Sequence, residues 1–346
     1  MAIGSIITAA RYNAMRNSLL TVLGTNNTGT DGYGQYVISD AKASTDIVDH
    51  QDMVNLYADI VRARYHQNDT LPWSATNGLD FPNTGDIIGE FAGAVGATDS
   101  SDATTKLNMG YADFESATTD IQTDALDFDV DQMAQIALDS SNRTTSWNGT
   151  ITHTVTVTFG GYTITNPDTT TESVSGANHR RYFFNTGGNI QFTASLTGGS
   201  GSKDTNWSNM LANMGIIRFG ITDTTASGTG TGSSIGNSDL TTSYQTIFTK
   251  IGSGVYEEND YTIRARAPSS STLQFEITFN DDDSGDPPIT PLPPGAIVGG
   301  VDENVTGSTA SNVEALVADG DNIVIDGITY STVTIPAPTA TTDSNL

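Results

Sequence analysis

Hydrophobic and polar residues alternate with a period of two through most of the second half of the chain. In His179–Leu196, HRRYFFNTGGNIQFTASL, residues Ile190, Phe192, Ala194 and Leu196 fall on one face and Gln191, Thr193 and Ser195 on the other. That alternation marks a half-buried strand. The two glycines of Thr186-Gly187-Gly188-Asn189 supply the turn chemistry of a hairpin, so the spacing predicts two strands around it. Thr152–Phe159 sets Val155, Val157 and Phe159 against Thr154, Thr156 and Thr158, and Leu273–Phe279 alternates in the same way. Ile216–Ile221, Ser243–Ile251 and Tyr261–Ala267 add further strands. One segment breaks the period: Asp204–Met214 puts Trp207, Met210, Leu211 and Met214 on one helical side and stops at Gly215. The pattern over 142–285 predicts an antiparallel β-sandwich or jelly-roll-like domain with one short helix lying across it.

The first 70 residues follow the helical period instead. Thr8–Leu23 and Asp49–Arg64 align as a weak repeat, Thr8 with Asp49 as N-caps, Tyr12 with Met53, Met15 with Leu56, and Leu19-Leu20 with Ile60-Val61. Gly24 ends the first copy. Neither helix covers its stripe alone. The expectation is therefore that Tyr12, Met15, Leu19, Met53, Leu56 and Ile60 are interface residues, packing helix on helix or against other subunits. Residues 71–141, broken at Leu71-Pro72-Trp73 and Phe81-Pro82, read as a connector, although Phe114, Ala117, Ile121 and Leu126 recur at helical spacing. Asp286–Gly295, DPPITPLPPG, reads as a linker; beyond it a hairpin is expected around Asp326-Gly327, needing another element or subunit to pair with, and then a disordered or interacting tail. The fold class is α+β, divided as 1–70, 71–141, 142–285 and 286–346.

Charge sharpens this picture. The 14 Lys and Arg residues face 40 Asp and Glu, a net charge of −26, and between Ala267 and Leu346 there are 12 acidic side chains and no basic one. Such a surface repels phosphate backbones, which argues against nucleic acid as a partner. The absence of cysteine excludes disulfides, thiolate metal sites and cysteine nucleophiles. No apolar run reaches the roughly 18 residues a membrane span requires, and the N-terminus lacks the charged region and apolar core of a secretion signal.

Candidate chemistry is sparse. His50, His66, His153 and His179 stand at no metal-ligand spacing, and no HExxH or GxSxG pattern occurs. Structural roles are expected of His153 and His179. Arg180-Arg181 suits an anion, but more simply an acidic neighbour and a solvent or subunit contact. Gly228-Thr229-Gly230-Thr231-Gly232 has the glycines of a phosphate loop without the following lysine and reads as a flexible surface loop. Asp281, Asp282, Asp283 and Asp286 offer the hard oxygen donors that suit Ca²⁺ or Mg²⁺. Three adjacent side chains point in different directions, so a solvated acidic turn is the favoured reading and no cofactor is expected. Carboxylate pairs for glycoside hydrolysis are available in number, but no feature selects one.

The wording RRYFFNTGG at 180–188, the GYGQ at 32–35 between the two helices, and QFEITFNDDD at 274–283 resemble a module of structural proteins of tailed bacteriophages, particularly those infecting cyanobacteria. The resemblance covers about 1–70 and 142–283. It implies a non-enzymatic virion component of the tail, baseplate, neck or fibre apparatus, made in the host cytoplasm, assembled as a homo-oligomer and bound to other virion proteins. The alternative is a host-surface glycan-binding module in which Tyr162, Trp207 and Tyr256 stack on sugars. A glycan-cleaving enzyme stands third.

Overall fold

The computed structural model describes residues 8–25, 29, 31–68, 79–80, 107–166, 169–283, 302–325 and 328–346. Helices α1 (Ala9–Leu23) and α2 (His50–Asn68) precede two short parallel strands, β1 (Leu79–Asp80) and β2 (Leu107–Asn108), and helix α3 (Tyr111–Thr123). Strands β3 (Met133–Arg143), β4 (Gly149–Thr158), β5 (Tyr162–Thr165) and β6 (Thr171–Val174) lead to α4 (Gly176–Asn185), β7 (Asn189–Thr197) and α5 (Ser202–Met214). Next come β8 (Ile217–Phe219), β9 (Thr224–Ala226), β10 (Thr231–Gly232), β11 (Gln245–Ile251), β12 (Asp260–Ser269) and β13 (Thr272–Asp281). The last strands are β14 (Ser308–Ala318), β15 (Asn322–Ile325), β16 (Ile328–Ser331) and β17 (Thr339–Ser344). This is an α+β protein with sandwich-like antiparallel sheets. Its two compact units are each assembled from three stretches of chain: Met1–Ala134, Gly161–Gly187 and Ala318–Pro336 form the first, Gln135–Gly160, Gly188–Val317 and Ala337–Leu346 the second.

In the first unit, the Thr8 hydroxyl caps α1 through the Arg11 amide. Asp49 and Asp52 cap α2 reciprocally, each carboxylate accepting from the other's backbone N–H at 2.9–3.0 Å. The apolar stripes fall where the spacing puts them, but what covers them is the same chain. Tyr12, Met15, Leu19, Met53, Leu56 and Ile60 are all at most 2 % exposed, with α1, α2 and α3 packed on one another. Of the two expected coverings, helix on helix is the one found, and these six residues form an internal core rather than a contact with another subunit. Phe114, Ala117 and Ile121 complete it from α3, within the stretch expected to be a connector.

The β15–β16 hairpin belongs to this unit and packs on α2, where the Arg62 guanidinium donates to the Ser331 carbonyl at 2.8 Å; its partner is intrachain. The turn expected at Asp326-Gly327, like the proline-rich stretch, lies outside the described residues. Fully buried Asp59 ties the unit together. Its carboxylate accepts from the backbone of Ile38 and Ser39, from the Ser39 hydroxyl and from Arg62 at 3.1 Å.

One strand of the predicted hairpin at His179–Leu196 is a helix. Ser175 caps α4 by accepting from the Asn178 amide, and the run then buries His179, Arg180, Tyr182, Phe183, Phe184 and Asn185. Three adjacent aromatics cannot alternate between faces, whereas a helix end embedded in protein accommodates them all. The turn itself stands: Gly187 has φ +82 and closes on the Phe128 ring, so a side chain there meets both backbone strain and a clash.

The second unit holds two sheets, a six-stranded one in the order β10-β11-β12-β13-β4-β17 and a five-stranded one in the order β3-β14-β7-β8-β9. Their inner faces meet through Phe192 and Phe219 against Phe275, ring centroids 5.0 and 5.3 Å apart. Helix α5 packs on β7 and β11 with Trp207, Met210, Leu211 and Met214 buried, as its period requires. Strand β3 escapes period-two reading because both its faces are largely solvated. The tail expected to be disordered or interacting forms β17, paired antiparallel with β4 from Thr339↔Thr158 to Ser344↔His153. Strand β14 pairs with β7 over Ser308–Leu316, so residues after 286 build both sheets. Residues 161–187, expected inside the β-domain, belong to the first unit.

Removing one member of a buried ion pair leaves the other charge uncompensated. Asp59→Ala is therefore expected to cost about 3–5 kcal/mol, read as a lowered urea midpoint with unchanged slope. A shift below about 1 kcal/mol, the range of a surface pair, would show that Asp59 is not the tie described.

Candidate functional site

The acidic turn after β13 resolves by direction. Asp281 and Asp283 point inward and are buried, and Asp282 points out, where it accepts from Asn280. Asp286 lies outside the described residues. A third carboxylate that sequence reasoning missed, Asp302, joins Asp281 and Asp283, with oxygens within 4.8 Å of one another. Between them stands Lys203 of α5, its ammonium 3.1 Å from Asp281, 2.6 Å from Asp283 and 3.0 Å from Asp302. The side chain is 1 % exposed. An ammonium thus takes the place of a cation, and these residues do not fit Ca²⁺ or Mg²⁺ while it remains.

Asn259, also buried, holds the turn by accepting from the Asp282 and Asp283 amides. Burial pushes the Asp281 carboxyl up to about 6 against the pull of Lys203. Burial draws the Lys203 ammonium down, but its bonds to the three carboxylates outweigh this and hold it above the ordinary lysine range. The signal in the sequence was positional: a cation in the first turn of a helix opposes the helix dipole and is unfavourable without an anion to meet it.

His153 of β4 is fully buried, with Nδ1 2.9 Å from the Ser311 hydroxyl of β14 and Nε2 2.5 Å from the Asp139 carboxylate of β3. Serine, histidine and aspartate are the residue types of a nucleophilic relay. Ser311 is 0 % exposed, however, so no substrate reaches its hydroxyl. The three side chains bridge the two sheets, and the structural role expected of His153 stands.

The glycine-rich loop at 228–232 spends its donors on the end of α5: Gly228 N–H on the Met214 carbonyl and Thr229 N–H on Asn213. It closes a helix rather than cradling phosphate. Trp207 and Tyr256 are core residues, at 0 and 5 % exposure, and offer no face for sugar stacking; Tyr162 is half-buried.

The first unit brings together two motifs far apart in sequence, GYGQ and RRYFFNTGG. The Asn185 side-chain amide donates to the carbonyls of Asp31 (2.9 Å) and Gly32 (3.1 Å), and the Arg181 guanidinium donates to Asp31. Tyr182 donates its hydroxyl hydrogen to the Thr25 carbonyl. Gly34, at φ +66, lies against the Tyr182 ring, in space a side chain would fill. His179 meets the Pro336 carbonyl through Nε2 at 2.8 Å. Burial lowers Arg180 to about 10.

His66 of α2 closes this clasp. Its ring lies edge-on to Tyr33, 5.3 Å between centroids, and Nε2 meets the Thr186 carbonyl at 3.1 Å. The carbonyl can only accept, so Nε2 carries the hydrogen and buried Nδ1, without a partner, is bare. Burial holds this ring neutral and pushes it down to about 4.

No protein-family model, no curated protein and no solved structure matches the chain.

A depressed histidine contributes stability that is complete above its unfolded pKa and lost as pH falls through the folded value. Lowering from 6.5 to about 4 corresponds to about 3 kcal/mol. Urea midpoints measured from pH 7 down to pH 4 should therefore fall more steeply for the native protein than for His66→Gln, whose amide keeps a donor for Thr186 and does not titrate. Parallel pH profiles would contradict the buried neutral imidazole.

Proposed function

We propose that the protein is a structural component of a tailed-phage particle, in its tail, baseplate, neck or fibre apparatus, working through contacts with copies of itself and with other virion proteins. The observation that carries this reading is the clasp. GYGQ and RRYFFNTGG, the wording by which the chain resembles phage structural proteins, form one intrachain joint, through the Gly32 carbonyl on Asn185, the Gly34 backbone against the Tyr182 ring, and the neighbouring Asp31 carbonyl on Asn185 and Arg181. Residues shared for architectural reasons are expected to make such a joint; shared catalytic residues are expected to line a cleft. One polar cluster supports the same reading, since the buried pair His153 and Ser311 hydrogen-bond each other and His153 meets Asp139, side chain to side chain across the two sheets. The strongly acidic surface suits a protein that must stay soluble until it meets a specific partner.

A second reading, host-surface glycan binding, finds support in one place. A cleft of about 240 Å³ in the first unit is lined by Arg16, Tyr36, Asp40, Asn166 and Glu172, polar groups of the kind that hold sugar hydroxyls around one aromatic ring.

Mass spectrometry of purified particles encoded with this chain, followed by location of the protein in particle density, tests the first reading. The expected result is stoichiometric recovery and repeated ordered copies. A protein found only in infected-cell lysate and absent from particles would refute it. Retention on a glycan array, abolished by Asp40→Asn with Glu172→Gln, would favour the second.

A further inference from the structure

Lysine is scarce in this chain, four residues among 346, and one of the four is buried in the second unit with its ammonium in reach of three carboxylates. An ion pair alone does not account for the arrangement, because one ammonium cannot neutralise three carboxylates. Asp302 is 44 % exposed and shares its charge with water and Asn148, but Asp281 and Asp283 are not exposed beyond 2 %. The Asp281 Oδ1 atom is buried without a hydrogen-bond partner. A neutral carboxyl sits there at lower cost than a carboxylate. The site therefore holds a primary amine, a carboxylate at 2.6 Å, and a second carboxyl at 3.1 Å placed to carry protons. Aromatic rings stand close by: Trp207, one helical turn on from Lys203, lies 5.2 Å from Trp147 and 6.2 Å from Phe279.

We propose that Lys203 and Asp283 condense to an intramolecular isopeptide bond, with Asp281 as the proton carrier. The ammonium first gives a proton to the Asp283 carboxylate, so that an ion pair becomes an amine and a carboxylic acid. This exchange takes place inside the cluster, and the affinity of Nζ for protons from solvent, raised by the carboxylates, does not bar it. The Nζ lone pair then attacks Cγ of Asp283. Asp281 gives its proton to the departing hydroxyl and receives the second Nζ proton. One C–N bond forms, one C–O bond breaks and one water leaves, with no change of oxidation state. The backbone on either side is fixed for the reaction, Lys203 in the first turn of α5 and the Asp282 and Asp283 amides on Asn259. The product removes the buried amine and one buried carboxylate together. It also joins α5 covalently to the end of β13 and so staples the helix to the six-stranded sheet.

Intact-mass measurement of the full chain under denaturing conditions tests this directly. The expected mass is lower than the sequence mass by one water, and proteolysis yields a branched peptide joining Lys203 to Asp283. Lys203→Arg keeps the charge but cannot form the amide, and should restore the full sequence mass. Asp281→Asn keeps the shape but cannot shuttle protons, and should leave most of the protein uncondensed. A wild-type chain at its full sequence mass overturns the proposal. So does a water loss that persists in Lys203→Arg, which would come from succinimide chemistry elsewhere, or a branch mapped to Asp281 or Asp302.

Discussion

The second unit depends on strands that are far apart in sequence finding each other. Strand β4 runs between β13 and β17, which pair with it from opposite sides, and β7 runs between β8 and β14 in the other sheet. Partners such as Val155 with Thr342, or Phe192 with Val313, come together only once most of the chain exists. The loop-closure entropy is spent before the contacts reward it, so a fold of this kind forms slowly and cooperatively. Its outer strands suit that history. Strand β17, TATTDS, is polar but for Ala340 and carries Asp343, and β3 is largely solvated on both faces, features that discourage edge-to-edge association.

A second constraint is electrostatic. In a chain with so few cations, two buried ones among the described residues each organise a region. Arg62 joins Asp59, the Tyr36 ring and the β15–β16 hairpin in the first unit. Lys203 joins the two ends of the stretch between Asp283 and Asp302 in the second. Neither arrangement resembles a surface salt bridge, whose net worth is small. Each places charge where its loss leaves an uncompensated partner, which fixes geometry more than it adds stability.

Two features that invite a chemical reading have their polar groups taken up within the fold. His153 has the neighbours of a catalytic base but serves as a bridge between sheets, and the glycine-rich loop has the look of an anion cradle but finishes a helix. The clasp joins GYGQ to RRYFFN, with the Gly32 carbonyl, and that of Asp31 just before the motif, bonded to side chains of Asn185 and Arg181.

Periodicity alone determined much of this protein. The strands around Val155, Phe192, Ile263 and Phe275, the helix carrying Trp207, and the two capped helices near the N-terminus follow from local patterns that a neighbouring fold only has to cover. Where the pattern was silent or double-valued, tertiary structure decided. The aromatics of RRYFF gave no face to choose, and a cap at Ser175 together with complete burial made them a helix. Strand β3 has no buried face to imprint alternation, and β17 is a strand only because β4 has an open edge beside it. The partner of each apolar stripe was equally undetermined, since a stripe records that it must be covered but not by what. Tyr12 and Met53 are covered by their own chain. The aspartates of β13 announced negative charge; that the cation among them is Lys203, 78 residues away, is a fact of topology that no local spacing encodes.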